Sequence, residues 1–269
     1  MIIRGANIGE VSVELKRISD YDWTDDPKIT EIIKKLDILY LNAWNQASEQ
    51  VVNHMMIDDN NNVIIGEHAV NHRCSSSLDN LRTIANYGLL ASEWFGELES
   101  EREGCFCVFV SRMKGENYPP IGSLAEDDYS RLNIGNDVIL FFDDTNPLME
   151  YLLHLDYFEF EYQKQNNPNY RSLYTPSELE ILEELIEPLS PAGKYMRKPF
   201  NTKTNYWSAI PGGIPSFLVN GICVKNNNYS ENELDEISTL FPNAVIFDAS
   251  KKVLRNKDID METSKGPRL

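Results

Sequence analysis

Val70-Asn71-His72-Arg73-Cys74-Ser75-Ser76-Ser77-Leu78-Asp79-Asn80-Leu81-Arg82-Thr83-Ile84-Ala85-Asn86-Tyr87-Gly88-Leu89-Leu90 is the stretch that decides the fold class. Its opening reads as a strand reaching Cys74. The serines that follow are helix caps, because a hydroxyl oxygen can accept from the unpaired N–H groups of a first turn. Leu78, Leu81, Ile84, Ala85 and Leu89 form an apolar stripe, and Gly88 ends the helix where the chain must turn left-handed. Strand, cap, helix and glycine in that order predict mixed α and β structure.

Upstream, Met55-Met56-Ile57 and Val63-Ile64-Ile65 flank Asp58-Asp59-Asn60-Asn61-Asn62, a polar turn between apolar runs that predicts a hairpin. The second of these runs is expected to continue as strand to Cys74. Further back, Val11, Val13 and Leu15 alternate as in a strand or edge hairpin. Thr24 can cap, and Asp25, Asp26 and Pro27 suit a first helical turn. From there Ile29, Ile32, Ile33, Leu36, Leu39, Tyr40, Ala43, Trp44, Ala47 and Val51 share one face, which predicts a long amphipathic helix from Pro27 to about Val52.

Downstream, Cys105 to Ser111 and Asp137 to Phe142 read as buried strands. Tyr151 to Tyr162 alternates aromatic and acidic residues, which predicts a strand or two with Phe158 and Phe160 on one face. Thr175-Pro176-Ser177-Glu178 and Ser230-Glu231-Asn232-Glu233 are capping boxes, opening helices that run to about Pro188 and to near Phe241. A last strand covers Ala244 to Asp248. The expected fold is α+β: a mixed, largely antiparallel split β-core with packed helices and an N-terminal helical extension. Its expected boundaries are 1–62 for the extension, 63–260 for the main domain and 261–269 for a flexible tail.

Charge narrows the function classes. With 42 acidic against 25 basic residues the formal charge is −17, so neither a general nucleic-acid coat nor a basic membrane-surface protein is expected. Hydrophobic residues make up 42% of the chain, enough for a real core. Runs such as Val138 to Phe142 are of strand length, short of the roughly 20 apolar residues that span a bilayer. No membrane partner is expected, and the N-terminus lacks the apolar core of a signal peptide, which places the expected location in the cytoplasm. The cysteines Cys74, Cys105, Cys107 and Cys223 form no zinc-type spacing and read as reduced, mostly buried residues.

Chemistry is suggested by what one segment lacks. Pro188 through Tyr229 contains no Asp or Glu but holds Lys194, Arg197, Lys198, Lys203 and Lys225, a local positive region suited to an anion such as a phosphate. Within it Ile210-Pro211-Gly212-Gly213-Ile214-Pro215 predicts a strand, a tight turn and a strand, followed by Asn220-Gly221-Ile222-Cys223-Val224.

Taken in order, Val70 to Ser75, Leu78 to Ile84, Tyr87-Gly88-Leu89-Leu90, Phe106 to Ser111, Asp137 to Phe142 and the Ile-Pro-Gly-Gly-Ile-Pro run resemble ADP-ribosyltransferase folds over residues 63–248. The resemblance implies an NAD-consuming transferase, of toxin or effector kind, acting on a protein or nucleic-acid acceptor. In the histidine class of that family His72 would hold a ribose hydroxyl, and Tyr118 or Tyr129 would stack on nicotinamide. In the arginine class Arg73 would contact the NAD phosphate and Ser111 would open the serine-threonine-serine motif. His72 and Arg73 point to opposite faces of a strand, so one of them faces the cleft, and His72 is preferred. Cys74 adjoins both in the expected NAD-binding set.

One departure matters. Both classes place a glutamate just before the proline turn, where this chain has Tyr206-Trp207-Ser208-Ala209. The chain is then either a transferase that manages without it, as the RNA 2′-phosphotransferase branch does, or an inactive member acting as an interaction module. The arginine-histidine signature of that branch is absent. No Walker loop, GxGxxG, HExxH or GxSxG occurs. Asp143, Asp144 and His154 could in principle offer ligands to a hard cation, but the aspartates read as the polar end of a buried strand and no metal is expected. His72 and Cys74 share a strand face at a spacing that rarely gives nucleophile-base geometry.

Overall fold

A computed structural model describes residues 54–66, 68–90, 107–112, 137–184, 207–225 and 228–256 of the 269. The expected helix from Pro27 to Val52 and the Val11 to Leu15 strand lie outside them. In chain order the elements are β1 (Met56–Ile57), β2 (Val63–Ile64), β3 (Ala69–Ser75), α1 (Leu78–Tyr87), β4 (Leu89–Leu90), β5 (Cys107–Arg112), β6 (Asp137–Asp143) and α2 (Pro147–His154). There follow α3 (Tyr157–Asn166), a 3-10 turn (Tyr170–Leu173), α4 (Pro176–Glu184), β7 (Trp207–Pro211), β8 (Gly213–Ile214) and a second 3-10 turn (Ser216–Leu218). The chain continues through β9 (Gly221–Val224), α5 (Glu231–Leu240), β10 (Val245–Asp248) and β11 (Val253–Arg255). The described residues divide into two compact units: a sheet unit within Gln50–Ala85, Ser111–Met149 and Ser216–Leu269, and an aromatic unit within Asn86–Val110 and Glu150–Pro215.

The sheet unit is built on five strands in the order β11-β10-β9-β6-β3. Only β9 and β10 run parallel; the other neighbours are antiparallel. A parallel pair needs a crossover, which α5 supplies. Ser111 and Arg112 of β5 pair with Asn71 and Val70 of β3. This mixed, largely antiparallel sheet with its helices is α+β.

Register sorts the side chains. Residues directly opposite share a face, so Arg73, Ile139, Cys223 and Phe247 form one row, and His72, Leu140, Ile222 and Ile246 the next on the other face. The β1–β2 hairpin covers the first face, where Met55, Ile57, Val63 and Ile65 pack with Ile139, Phe141, Cys223, Val245, Phe247 and Val253. Gly221 lies close under it: an added Cβ would stand 2.1 Å from the Met55 sulfur, and that flexible side chain would have to shift. Val70, Leu140, Phe142, Ile222 and Ile246 close the second face and are buried.

The hairpin forms as its polar turn predicts. The Asp58 carboxylate accepts from the Asn60 and Asn62 amides at 2.9 and 2.8 Å, and Asn61 takes a φ of 62°. These bonds, chiefly that from the Asn62 amide, hold the Asp58 carboxyl below its usual range. The strand does not run on to Cys74, however: it breaks after Ile64, and β3 begins at Ala69. α1 begins as expected, with Ser77 Oγ accepting from the Asn80 amide at 3.1 Å, and Gly88 leaves it at φ 85°. α5 carries its full capping box on Ser230 and Glu233.

Tyr151 to Tyr162 corrects the expectation of strands. It belongs to α2 and α3. Asn146 Oδ1 accepts from the Leu148 amide at 2.9 Å, and Asp156 stands before the first turn of α3. Leu148, Leu152 and Leu155 are buried at helical spacing, as are Tyr157 and Phe160, and that burial outweighs the alternation of aromatic and acidic residues. In the aromatic unit Phe160 meets Tyr170 and Tyr174 edge-on, with centroids 5.9 and 5.5 Å away. α4 opens on its capping box, the Thr175 amide donating to Glu178 Oε2 at 2.7 Å and the Glu178 amide to Thr175 Oγ1 at 3.3 Å. Among the described residues no helix is long and apolar enough to cross a membrane.

Candidate functional site

β3 carries the predicted residues to its C-terminal end. His72, Arg73 and Cys74 are half-buried and stand opposite Leu140, Ile139 and Val138 of β6. The backbone of Ser111 lies opposite Asn71. Four predicted residues therefore fall on two neighbouring strands, while Tyr118 and Tyr129 lie outside the described residues. His72 and Cys74 share the face with Val70, and Arg73 is on the face that the hairpin covers.

Beyond Ser75 the chain turns sharply into α1. The Ser77 amide donates to Ser75 Oγ at 3.3 Å and Asn80 Nδ2 to the Ser75 carbonyl at 3.0 Å. Arg82 ties α1 to α5 by donating to Glu236 at 2.6 Å, and it also bonds Asp79 at 2.8 Å. Both carboxylates lift the Arg82 guanidinium above its usual value, Glu236 most.

In the aromatic unit the Pro-Gly-Gly-Ile-Pro run forms the predicted turn between β7 and β8. Gly212 and Gly213 take φ values of 79° and 158°, which side chains disfavour. β8 then pairs with β4, Leu89 opposite Ile214 and Leu90 opposite Gly213. Strands of two residues carry too little pattern to be read from sequence, and this pairing was not expected.

A buried carboxylate meets β7 just before that turn. Asp156, 4% exposed, accepts from the Ala209 amide at 2.8 Å. The adjoining Ser208 is 1% exposed and its Oγ has no hydrogen-bond partner among the described residues. Sequence reasoning missed Asp156 because it lies within the segment read as strand; its place before an apolar helical stripe was the signal available. Close by in the same unit, the Tyr174 phenol is pushed up to about 12 by burial and by the charges of Glu159, Asp156 and Glu178.

The other candidates resolve into local structure. Asp143 Oδ1 accepts from the Thr145 amide and hydroxyl at 2.8 and 2.6 Å. Asp144 lies 2.9 Å from His68 Nδ1, and the His154 ring stacks on Tyr174 at 5.1 Å. Among the described residues no group of three or more His, Cys, Asp or Glu could hold a metal ion. Of the basic stretch, Lys225 is exposed after β9, and Lys194, Arg197, Lys198 and Lys203 lie outside the described residues. No protein family, curated protein or solved structure matches the chain.

Proposed function

We propose that the chain binds NAD and acts as an ADP-ribosyltransferase, passing ADP-ribose to a protein or nucleic-acid acceptor. One observation carries the reading: the strand that enters the Pro-Gly-Gly-Ile-Pro turn holds a buried carboxylate, Asp156, on its Ala209 amide. The resemblance calls for a negative group on that strand, and the acid-free stretch supplies none of its own. Pairing of β4 with β8 adds support, since it joins two segments on which the resemblance rests.

The chemistry follows from charge. Departure of nicotinamide leaves positive charge on the ribose, and a carboxylate held in a dry site stabilises that charge. Each unit taken by itself supplies a candidate: Asp156 of the aromatic unit for that role, and His72 of the sheet unit for holding a ribose hydroxyl, which a neutral imidazole can do as donor or acceptor. Arg73 is assigned the phosphate in the alternative class, with Cys74 and Ser111 beside these residues on β3 and β5.

A second reading has its own observation. Asp156 already serves the backbone of β7, as a purely structural carboxylate would, and this favours an inactive module that binds a protein partner. Titration calorimetry with NAD, followed by nicotinamide release from the same samples, separates the two. Wild type binds and releases nicotinamide; His72→Ala or Arg73→Ala loses binding, according to class. Asp156→Asn, which can still accept from Ala209, keeps binding and releases nicotinamide about 100-fold more slowly. A wild type that does not bind millimolar NAD leaves the interaction module as the account.

A further inference from the structure

Tyr229 lies in the connection between β9 and α5, and its hydroxyl donates to the Ser76 carbonyl at 2.5 Å. Ser76 stands in the corner where β3 turns into α1. The Ser77–Ser75, Asn80–Ser75 and Asn80–Ser77 hydrogen bonds of that corner are local, whereas Tyr229 reaches it from a segment 153 positions away. Ile222 and Cys223 of β9 stand across β6 from His72 and Arg73. The Tyr229 bond therefore closes a ring: from β3 through β6 to β9, along the connection, and back to the end of β3. Burial pushes the phenol up to about 12, with the neighbouring Cys74 adding to the rise, so the hydroxyl keeps its proton and remains a donor.

We propose that Tyr229 is a positioning residue of the NAD site, setting through Ser76 where the His72–Cys74 end of β3 presents its side chains. This rests on the transferase reading above. A hydroxyl donating to a backbone carbonyl is lost cleanly in Tyr229→Phe, which keeps the ring and its packing. The variant is compared with wild type below both melting temperatures, by NAD titration, by the kinetics of nicotinamide release and by the NMR signals of the His72 ring.

The expected result is a Kd and KM for NAD raised about 3- to 10-fold, the worth of one neutral hydrogen bond, with kcat little changed and the His72 signals displaced. A lowered melting temperature with unchanged Kd, KM and His72 signals overturns the proposal, for the bond is then merely structural. Should Tyr229→Phe not fold, Tyr229→Met, which also lacks the donor, replaces it, and an unchanged KM there overturns the proposal equally. A wild type silent toward NAD overturns the transferase reading and this inference with it; a wild type that binds beside an unaffected Tyr229→Phe overturns this inference alone.

Discussion

The sheet unit and the aromatic unit bury polar groups in different ways. In the first, Asp248 and Asn146 are satisfied by their own turns: Asp248 accepts from the Ser250 amide and hydroxyl and from the Lys252 amide, and Asn146 from the Leu148 amide. Asp144, with its His68 partner, is a long-range case. In the second, Glu178 is likewise served by its own capping box, but Asp156 reaches 53 positions along the chain to Ala209, and the Ser208 hydroxyl is buried with no partner among the described residues. A buried polar group that finds a partner costs little, whereas an orphaned hydroxyl costs folding free energy. In the aromatic unit the long-range carboxylate and the orphaned hydroxyl both fall at β7.

That contrast can be broken by mutation. The largest effect belongs to the sheet: Phe247→Ala removes a fully buried ring 5.6 Å from Phe141 and should cost about 3–5 kcal/mol in urea unfolding. Asp156→Ala, which strands the buried Ala209 N–H, should cost about 1–3 kcal/mol. A loss near zero would mean that the aromatic unit does not depend on this tie. Ser208→Ala should be neutral or stabilising, because it deletes a polar atom that nothing among the described residues satisfies. Destabilisation there would reveal a partner for the hydroxyl in solution and weaken the contrast.

The smallest effect at neutral pH concerns Tyr174. Its phenol ionises at about 12 in the folded protein and at the ordinary 10 when unfolded. A raised value means stability that is fully present below pH 10 and lost as pH rises through 12. Melting temperature should therefore fall over that window, and Tyr174→Phe should flatten the fall. An unaltered alkaline profile in the variant would place the loss elsewhere.

Much of the sheet was legible because its signals are local. Asp58 to Asn62 between apolar runs, Gly88 after an apolar stripe and the Ser230–Glu233 and Thr175–Glu178 boxes each state their geometry within a few residues, and each takes it. The strands Asp137 to Phe142 and Ala244 to Asp248 appear within a residue of their expected ends. Tyr151 to Tyr162 misled because the aromatic-acidic alternation competed with a helical stripe beginning at Leu148, and burial of that stripe decided. β11 escaped notice: it is three residues long and follows Lys251, which takes a left-handed φ of 71°. Of the candidate site, His72, Arg73, Cys74 and Ser111 were legible as strand positions. Asp156 was not, since its bond to Ala209 depends on a tertiary approach that no local pattern encodes.

The order of strands has a consequence in time. β9, α5, β10 and β11 follow one another within residues 221–255, so their pairings close short loops. The β3–β6 ladder instead joins Ala69 to Asp143 and Ser75 to Asp137, and must wait for a long excursion of chain to return. Closing a longer loop costs more entropy, and non-local pairing slows folding. The β9–β11 segment should thus assemble early and serve as the template on which β6, and then β3 with His72, are laid. On the ribosome β3 emerges before that template, and it stays without its foundation until residues 221–255 have followed.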